Sequence, residues 1–282
     1  MSATLSSLSD LRRVVERFRA GDAADADTVK SCCAAAYGVD LVALFLGESY
    51  HPGGLELTGE LADALSLAPG TRVLDVAAGV GTTAVFLAQT RGADVLGIDL
   101  GASQVAAARA RAAAAGLAAR ARFEVGDAER LPVDHATFDA AVCECAFCTF
   151  PDKTTAAAEL FRVLRPGGRV GITDVWLEPE RLDPELAGLV GRIACLADAR
   201  PIPEVRATLE TAGFVVDHVA RHDDALVRMI EQIEARLRAL RLVDLPLLRP
   251  FNLRRGIALA RRAADVVERG DAGYMLITAT KP

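Results

Sequence analysis

The stretch Arg72-Val-Leu-Asp-Val-Ala-Ala-Gly-Val-Gly-Thr-Thr-Ala84 constrains this chain more than any other part of it. A short, largely β-branched run ends near an acid, small residues and two glycines follow, and then come residues able to open a helix. That order reads as a strand, a tight loop and a helix N-terminus, an arrangement that lets backbone approach a nucleotide-like ligand closely. Asp75 sits at the strand end, ahead of the glycines. A pocket that must hold a pyrophosphate disfavours a carboxylate there, whereas a cationic ligand favours one. A nicotinamide-binding loop expects the glycine fingerprint without an acid immediately upstream, so Asp75 argues against that alternative.

With 282 residues the chain can form one large α/β domain with appendages. Its composition, 51% hydrophobic and 25% charged, is that of a globular rather than a disordered protein. The net charge of −6 and the lack of a long basic run argue against nucleic acid as a partner. No secretory signal pattern opens the sequence, and no uncharged apolar stretch is long enough to span a bilayer, so the expected compartment is the cytosol. There, the six cysteines, at 32, 33, 143, 145, 148 and 195, are expected as reduced thiols rather than a disulfide framework.

Helical spacing of Leu5, Leu8, Leu11, Val14, Val15 and Phe18 predicts an amphipathic helix over 4–20, and a second follows over 28–47. His51-Pro-Gly-Gly54 is a turn, and Thr58 is a candidate cap for a helix reaching Leu67. From 71 onward strands alternate with helices: strands 72–76, 94–99, 121–125, 138–143 and 169–175, helices 82–91, 102–115 and 153–164, and a turn at Arg165-Pro-Gly-Gly168. Helix 203–212 and strand 214–220 follow, then two helices over 224–242 and 252–269, then a strong strand over 273–280. The alternation implies an α/β fold, a mainly parallel sheet with helices on both faces. The two last strands, separated by a helical pair, suggest an antiparallel edge. The expected organisation is an N-terminal helical cap (1–50), a core (51–222 and 271–282) and a helical insertion before the last strand (223–270).

Asp99 ends the second strand about 20 residues after the glycine loop, where a carboxylate can accept hydrogen bonds from both ribose hydroxyls. Asp127, in Gly126-Asp-Ala-Glu-Arg-Leu-Pro132, is placed to receive an exocyclic amine of adenine. With Val73-Leu-Asp-Val-Ala-Ala-Gly-Val-Gly81, Gly97-Ile-Asp-Leu100, Phe138-Asp-Ala-Ala-Val-Cys143 and Leu164-Arg-Pro-Gly-Gly168, these motifs resemble, in order and spacing, the class I S-adenosylmethionine-dependent methyltransferases. The resemblance implies a Rossmann-like, seven-stranded sheet and S-adenosylmethionine as cofactor. It implies that Asp75, Ala77 and Gly79 line the methionine and ribose region, and that Asp99 holds the ribose beside Leu100 and Gln104. Asp127 and Ala128 would face the adenine, and Cys143 would meet the methionine end through its backbone. Ala77 stands where the family usually has its first glycine.

In this resemblance the carboxyl end of the fourth strand lies beside the transferred methyl. The segment there, Val142-Cys-Glu-Cys-Ala-Phe-Cys-Thr-Phe-Pro-Asp-Lys153, lacks the Pro-Pro-aromatic signature of nucleic-acid amino methyltransferases. Three cysteines fall within six residues, and on an extended strand Cys143 and Cys145 share a face. Thiolates suit soft, thiophilic ions. Cys145, Pro151-Asp-Lys153, Val163-Leu-Arg-Pro-Gly-Gly168, Thr173-Asp-Val175 and Cys195-Leu196 together are similar to the arsenite methyltransferases. That resemblance implies trivalent arsenic held by Cys145, Cys195 and Cys33 or Cys32, with a thiol reductant as possible co-reactant. A three-coordinate arsenic carries a lone pair and no proton, so its methylation needs no general base.

Other readings stand beside this one. Free cysteines are often apolar filler, and Cys148 suits that role better than ligation. In a second reading the acceptor is an O, N or C atom of a small organic molecule, and in a third the thiols serve a non-catalytic metal binder. Tyr50 and His51 either cover the cofactor or pack the turn. Glu144 either contacts an amine or hydroxyl acceptor or is a solvated loop-edge carboxylate. The sequence leaves the oligomeric state open.

Overall fold

A computed structural model describes residues 51–181, 198–242 and 252–282. The expected N-terminal helices, Cys32, Cys33, Tyr50 and Cys195 lie outside the described residues.

Helix α1 (Gly54–Ala64) leads into β1 (Arg72–Val76), α2 (Thr82–Arg91), β2 (Asp94–Asp99), α3 (Ala102–Ala114), β3 (Ala121–Val125) and β4 (Phe138–Glu144). A single 3₁₀ turn, Phe147–Thr149, separates β4 from α4 (Lys153–Val163). Then follow β5 (Leu164–Leu177), α5 (Ile202–Thr211), β6 (Val215–Arg221), α6 (Asp223–Leu240), α7 (Leu253–Glu268) and β7 (Ala272–Thr280). The seven strands form one sheet in the order β3-β2-β1-β4-β5-β7-β6. β1 pairs in parallel with both β2 and β4, so the strand order reverses between β1 and β4. In open α/β sheets the crevice outside the strand ends at such a reversal is where ligands bind.

Neighbouring residues on the strands supply opposite layers of core. Val73, Val95, Val142, Tyr274 and Leu276 pack with α1, α2, α3, α6 and α7, whereas Leu74, Ile98, Ala141, Met275 and Ile277 pack with α4 and α5. Burial on both faces explains the near-continuous apolar runs in these strands. Asp223 ties α6 to the sheet: its Oδ1 accepts from Trp176 Nε1 at 3.1 Å and from the Tyr274 amide at 3.0 Å.

The expected antiparallel edge is present, and two other local expectations change. Within that edge β7 lies between β5 and β6, antiparallel to both, and β6 is outermost. Burial explains the order, since eight of the nine residues of β7 are buried and none of β6 is. Thr58 caps nothing; the helix starts earlier, after Gly53 at φ 78°, and Thr58 is fully buried within it. The turn at Arg165-Pro-Gly-Gly168 is an irregularity inside β5, where Leu164 faces Phe138 and pairing resumes with Arg169 opposite Ala140.

Gly97 on β2 marks a close approach of layers. A Cβ there would sit 2.5 Å from Phe123 Cδ1 and 2.8 Å from Ala78 Cβ. Gly97→Val should therefore overpack the site and lower unfolding free energy by about 1–3 kcal/mol, read from the midpoint of urea denaturation at unchanged slope.

Candidate active site

The glycine loop after β1 turns tightly because it passes through the left-handed region at Ala77 (φ 60°), Gly79 (φ 53°) and Gly81 (φ 78°). Gly81 has a packing reason as well, since a Cβ there would lie 2.7 Å from Phe123 Cζ. Ala77 adopts a conformation glycine takes freely and that costs alanine about 1–2 kcal/mol. The turn carries the chain from Asp75 on the strand to the start of α2 and opens a cavity at the carboxyl ends of β1, β2 and β4.

Asp99 is fixed by two backbone donors: the Gly79 amide donates to Oδ2 at 2.8 Å and the Gly101 amide to Oδ1 at 2.8 Å. One lone pair on each oxygen is thus used, leaving the other for a ligand's hydroxyls. Burial raises its pKa, and the two amide bonds oppose that rise. Asp127 folds into a local turn with its Oδ1 accepting from the Glu129 amide at 2.9 Å. Asp75 is 2% exposed, and its Oδ2 has no hydrogen-bond partner within the protein. Desolvation pushes its carboxyl well above the usual range, and the neighbouring Glu144 and Asp99 push it further, against a lowering backbone bond from Ala84. An unpartnered, buried carboxyl oxygen is expensive without a donor or cation to receive.

The other carboxylate of the cavity is Glu144, the last residue of β4. Thr83 Oγ1 donates to its Oε2 at 2.6 Å and Thr58 Oγ1 at 3.1 Å, while Thr173 Oγ1 donates to Oε1 at 3.4 Å. Thr173 in turn accepts from the Tyr274 hydroxyl at 3.2 Å. His51 Nε2 lies 3.7 Å from Glu144 Oε2, and the two side chains are 8% and 4% exposed. Glu144 is therefore a buried hub of four elements rather than a solvated loop-edge carboxylate, and His51 joins the cavity rather than serving the turn alone.

Asp75, Ala77, Gly79, Asp99, Leu100, Gln104, Asp127 and Ala128 all line this one cavity, together with Cys145. Cys143 does not line it; it is fully buried among apolar side chains, and burial and the nearby acids Asp174, Asp75 and Glu144 raise its thiol pKa. Cys143 and Cys145 do not share a face, because Cys145 takes φ 52° and ends the strand alternation while its amide donates to the Thr173 carbonyl at 2.7 Å. Cys148 is 3% exposed in the core. Sequence reasoning missed Thr58, Thr83, Thr173 and Tyr274. They sit in apolar helical and strand patterns, where a threonine reads as a cap or as β-propensity.

The cavity is lined by Asp75, Asp99, Asp127 and Glu144 and by no lysine or arginine among the described residues. This set fits S-adenosylmethionine: a desolvated carboxylate for its cationic end, a doubly braced carboxylate for the ribose and a polar loop for the base. A cation favours ionised Asp75, whose raised pKa disfavours ionisation before binding. Affinity should therefore rise with pH through that raised pKa, and the unliganded fold should lose stability over the same window. Asp75→Asn should weaken S-adenosylmethionine binding about 10–100-fold and flatten the pH dependence in calorimetry. Ala77→Gly should relieve the left-handed strain and stabilise the unliganded protein by about 1 kcal/mol in chemical denaturation, less the entropy glycine adds to the unfolded chain.

A family model described as a methyltransferase domain matches residues 73–168. Methyltransferase GfsG of Streptomyces halstedii is 32% identical over 233 residues, covering 81% of each chain. An arsenite methyltransferase of Halobacterium salinarum is 32% identical over 167 residues, covering 57% of this chain and 41% of the relative. Among solved structures, the [4+2]-cyclase SpnF superimposes with a TM-score of 0.68 at 27% identity, covering 80% of this chain and 81% of that one. Further chains of the fold hold S-adenosylmethionine or S-adenosylhomocysteine. The seven-stranded sheet, the acidic cleft at its switch point and these similarities agree: the chain belongs to the S-adenosylmethionine-dependent methyltransferases.

Proposed function

We propose that the protein transfers a methyl group to a protic nucleophile, a hydroxyl or amine, on a small organic molecule. The observation that carries this reading is the Glu144–His51 pair: a buried carboxylate and an imidazole on the wall of the cofactor cavity, at the end of β4. A protic acceptor must shed a proton as it is methylated, and a carboxylate–imidazole pair is suited to receive one. S-adenosylmethionine, when bound, supplies a methyl carbon made electrophilic by the sulfonium. Cys145, Ala146, Thr149 and Phe150 extend the same cavity and offer a small, mostly apolar wall for the body of an acceptor. Phe150 is held edge-on by Phe147, with ring centroids 5.8 Å apart. Holding both reactants in line in one cavity supplies much of the acceleration, since effective molarities reach about 10⁵–10⁸ M.

The second reading, trivalent arsenic as acceptor, is favoured by Cys145 on the cavity wall and by the arsenite methyltransferase among the relatives. It would use Cys145 with Cys195 and Cys33 or Cys32 as ligands and a thiol reductant. A coordinating thiol is deprotonated by the metal itself, so an ordinary thiol pKa is no obstacle. Against it, the residue that ends β4 on the cavity wall beside Cys145 is an acid, Glu144, which a metalloid acceptor without a proton does not need. We place the protein in the cytosol, and the helical pair α6–α7 is read as an insertion into the methyltransferase core; among the described residues no helix is long and apolar enough to cross a membrane.

Methyl-labelled S-adenosylmethionine offered with an array of small phenols, alcohols and amines, and separately with arsenite and glutathione, discriminates the two. The expected outcome is label in an O- or N-methyl product, retained by Cys145→Ser. Label appearing with arsenite alone, and lost in both Cys145→Ser and Cys195→Ser, would replace the organic acceptor with the metalloid.

A further inference from the structure

We infer that the acceptor is an aryl compound whose ring is laid against Phe150, and that Phe150 is the residue that selects it; this rests on the protic-acceptor reading above. After Glu144 the cavity wall continues through Cys145, Ala146, Thr149 and Phe150. Three of these four side chains are small, so the Phe150 ring is the large apolar surface this stretch offers. It is also the only phenyl ring on the wall among the described residues. Phe150 is half-buried, whereas its neighbours Phe147 and Cys148 are 1% and 3% exposed in the core. A phenyl surface left facing a cavity is unfavourable in water, and an apolar ligand that covers it removes that penalty.

The ring is held before any acceptor arrives. β5 fixes the start of the turn that carries it: the Cys145 amide donates to the Thr173 carbonyl at 2.7 Å, and the Cys148 amide donates to Asp174 Oδ2 at 2.7 Å. Within the turn Thr149 Oγ1 donates to the Ala146 carbonyl at 2.6 Å and the Phe150 amide to the Phe147 carbonyl at 3.2 Å. The Phe147 and Phe150 rings meet at 71° with their centroids 5.8 Å apart, an edge-to-face arrangement that aromatic pairs prefer. Main chain and ring are both fixed, so little ordering entropy is lost when a ligand binds.

Lys153 is a positioning residue for this surface. Its Nζ donates to the Phe150 carbonyl at 2.9 Å. The amine is drawn into the protein to do so: burial lowers its pKa, with Cys148, Asp198 and Asp174 opposing that shift and Arg200 assisting it. In Pro151-Asp-Lys153, Asp152 caps α4 by accepting from the Thr155 amide at 2.9 Å, and Lys153 closes the turn before it. A ring fixed in this way discriminates between partners of equal size. Another aromatic ring gains offset-stacked or edge-to-face attraction beyond the area it buries, and a saturated ring does not. A flexible alkyl chain would in addition lose rotamer freedom against a surface that cannot adapt to it.

Matched acceptors test this: benzyl alcohol against cyclohexylmethanol, naphthylmethanol against its decahydro analogue, and the corresponding amines. Within each pair the ring is saturated and the reacting group is unchanged. Binding to the full-length protein saturated with S-adenosylhomocysteine, read by saturation-transfer NMR, needs no turnover. The aryl member of each pair should bind about 2–12-fold tighter. Phe150→Leu keeps an apolar side chain without the ring and should remove that preference, with calorimetric affinity for S-adenosylhomocysteine reporting that the cofactor end is intact. Lys153→Met should lower the same preference; a lower melting temperature with the preference kept is what a merely structural lysine gives, and would overturn its positioning role. In turnover with labelled S-adenosylmethionine the preference should appear in KM rather than in kcat. Saturated members binding as tightly as aryl ones, neither member binding, or a preference that Phe150→Leu leaves unchanged would each overturn the aryl assignment while leaving the protic acceptor standing. Methylation of arsenite alone would overturn the protic reading instead, and the aryl acceptor with it.

Discussion

Desolvated negative charge at the switch point of the sheet is the constraint on which the rest of this site depends. Strand order reverses between β1 and β4, so the connections leaving their carboxyl ends turn to opposite faces of the sheet and leave a crevice that loops line. Here the crevice receives Asp75 from β1, Asp99 from β2 and Glu144 from β4, without a cationic side chain on the wall among the described residues. Such a cluster is unfavourable alone: burial raises the pKa of Asp75 and of Asp99, and their mutual repulsion adds to the rise at Asp75. A ligand carrying a positive centre and two vicinal hydroxyls turns the same cluster into a complementary one. Local backbone strain accompanies it, at Ala77 after β1 and at Cys145 after β4, which suits a site whose geometry the surrounding sheet enforces.

The cofactor half of this site was legible in the sequence because its chemistry is written in short range. Asp75, Ala77, Gly79 and Asp99 belong to strand–loop–helix units whose turns need small residues and whose acids end strands, so the place of each on the cavity wall follows from a few neighbours. Parallel strands β1 to β5 were readable for a similar reason, since their apolar runs are bounded by glycine, proline or charge. β7 was readable as a strand but not as an interior one, because its place depends on burial by α6, α7 and β6 rather than on its own residues.

The acceptor half was less legible, because it is assembled across long separations. Thr58 reaches Glu144 over 86 residues and Thr83 over 61, while Tyr274 reaches Thr173 over 101. No periodicity marks a threonine whose hydroxyl will be needed by a distant acid. The thiol cluster misled in the opposite sense: Cys143, Cys145 and Cys148 are close in sequence, but a left-handed residue at 145 ends the strand and sends its neighbours into different surroundings. What the run places on the cavity wall is Glu144 and Cys145, an acid and one thiol. Chemistry at that wall thus turns on how a proton or a metalloid is handled, while the fold behind it is common to methyltransferases with other acceptors and to a cyclase.

A crystal structure of the protein with S-adenosylhomocysteine tests the central claim most directly. The expected complex has the ribose hydroxyls on the two oxygens of Asp99, the adenine beside Asp127 and Ala128, and the amino-acid end against Asp75, with the sulfur directed toward Glu144 and His51. A nucleoside bound away from the ends of β1, β2 and β4, or bound there with Asp75 and Asp99 making no contact to it, would show that this acidic cluster is not the cofactor site.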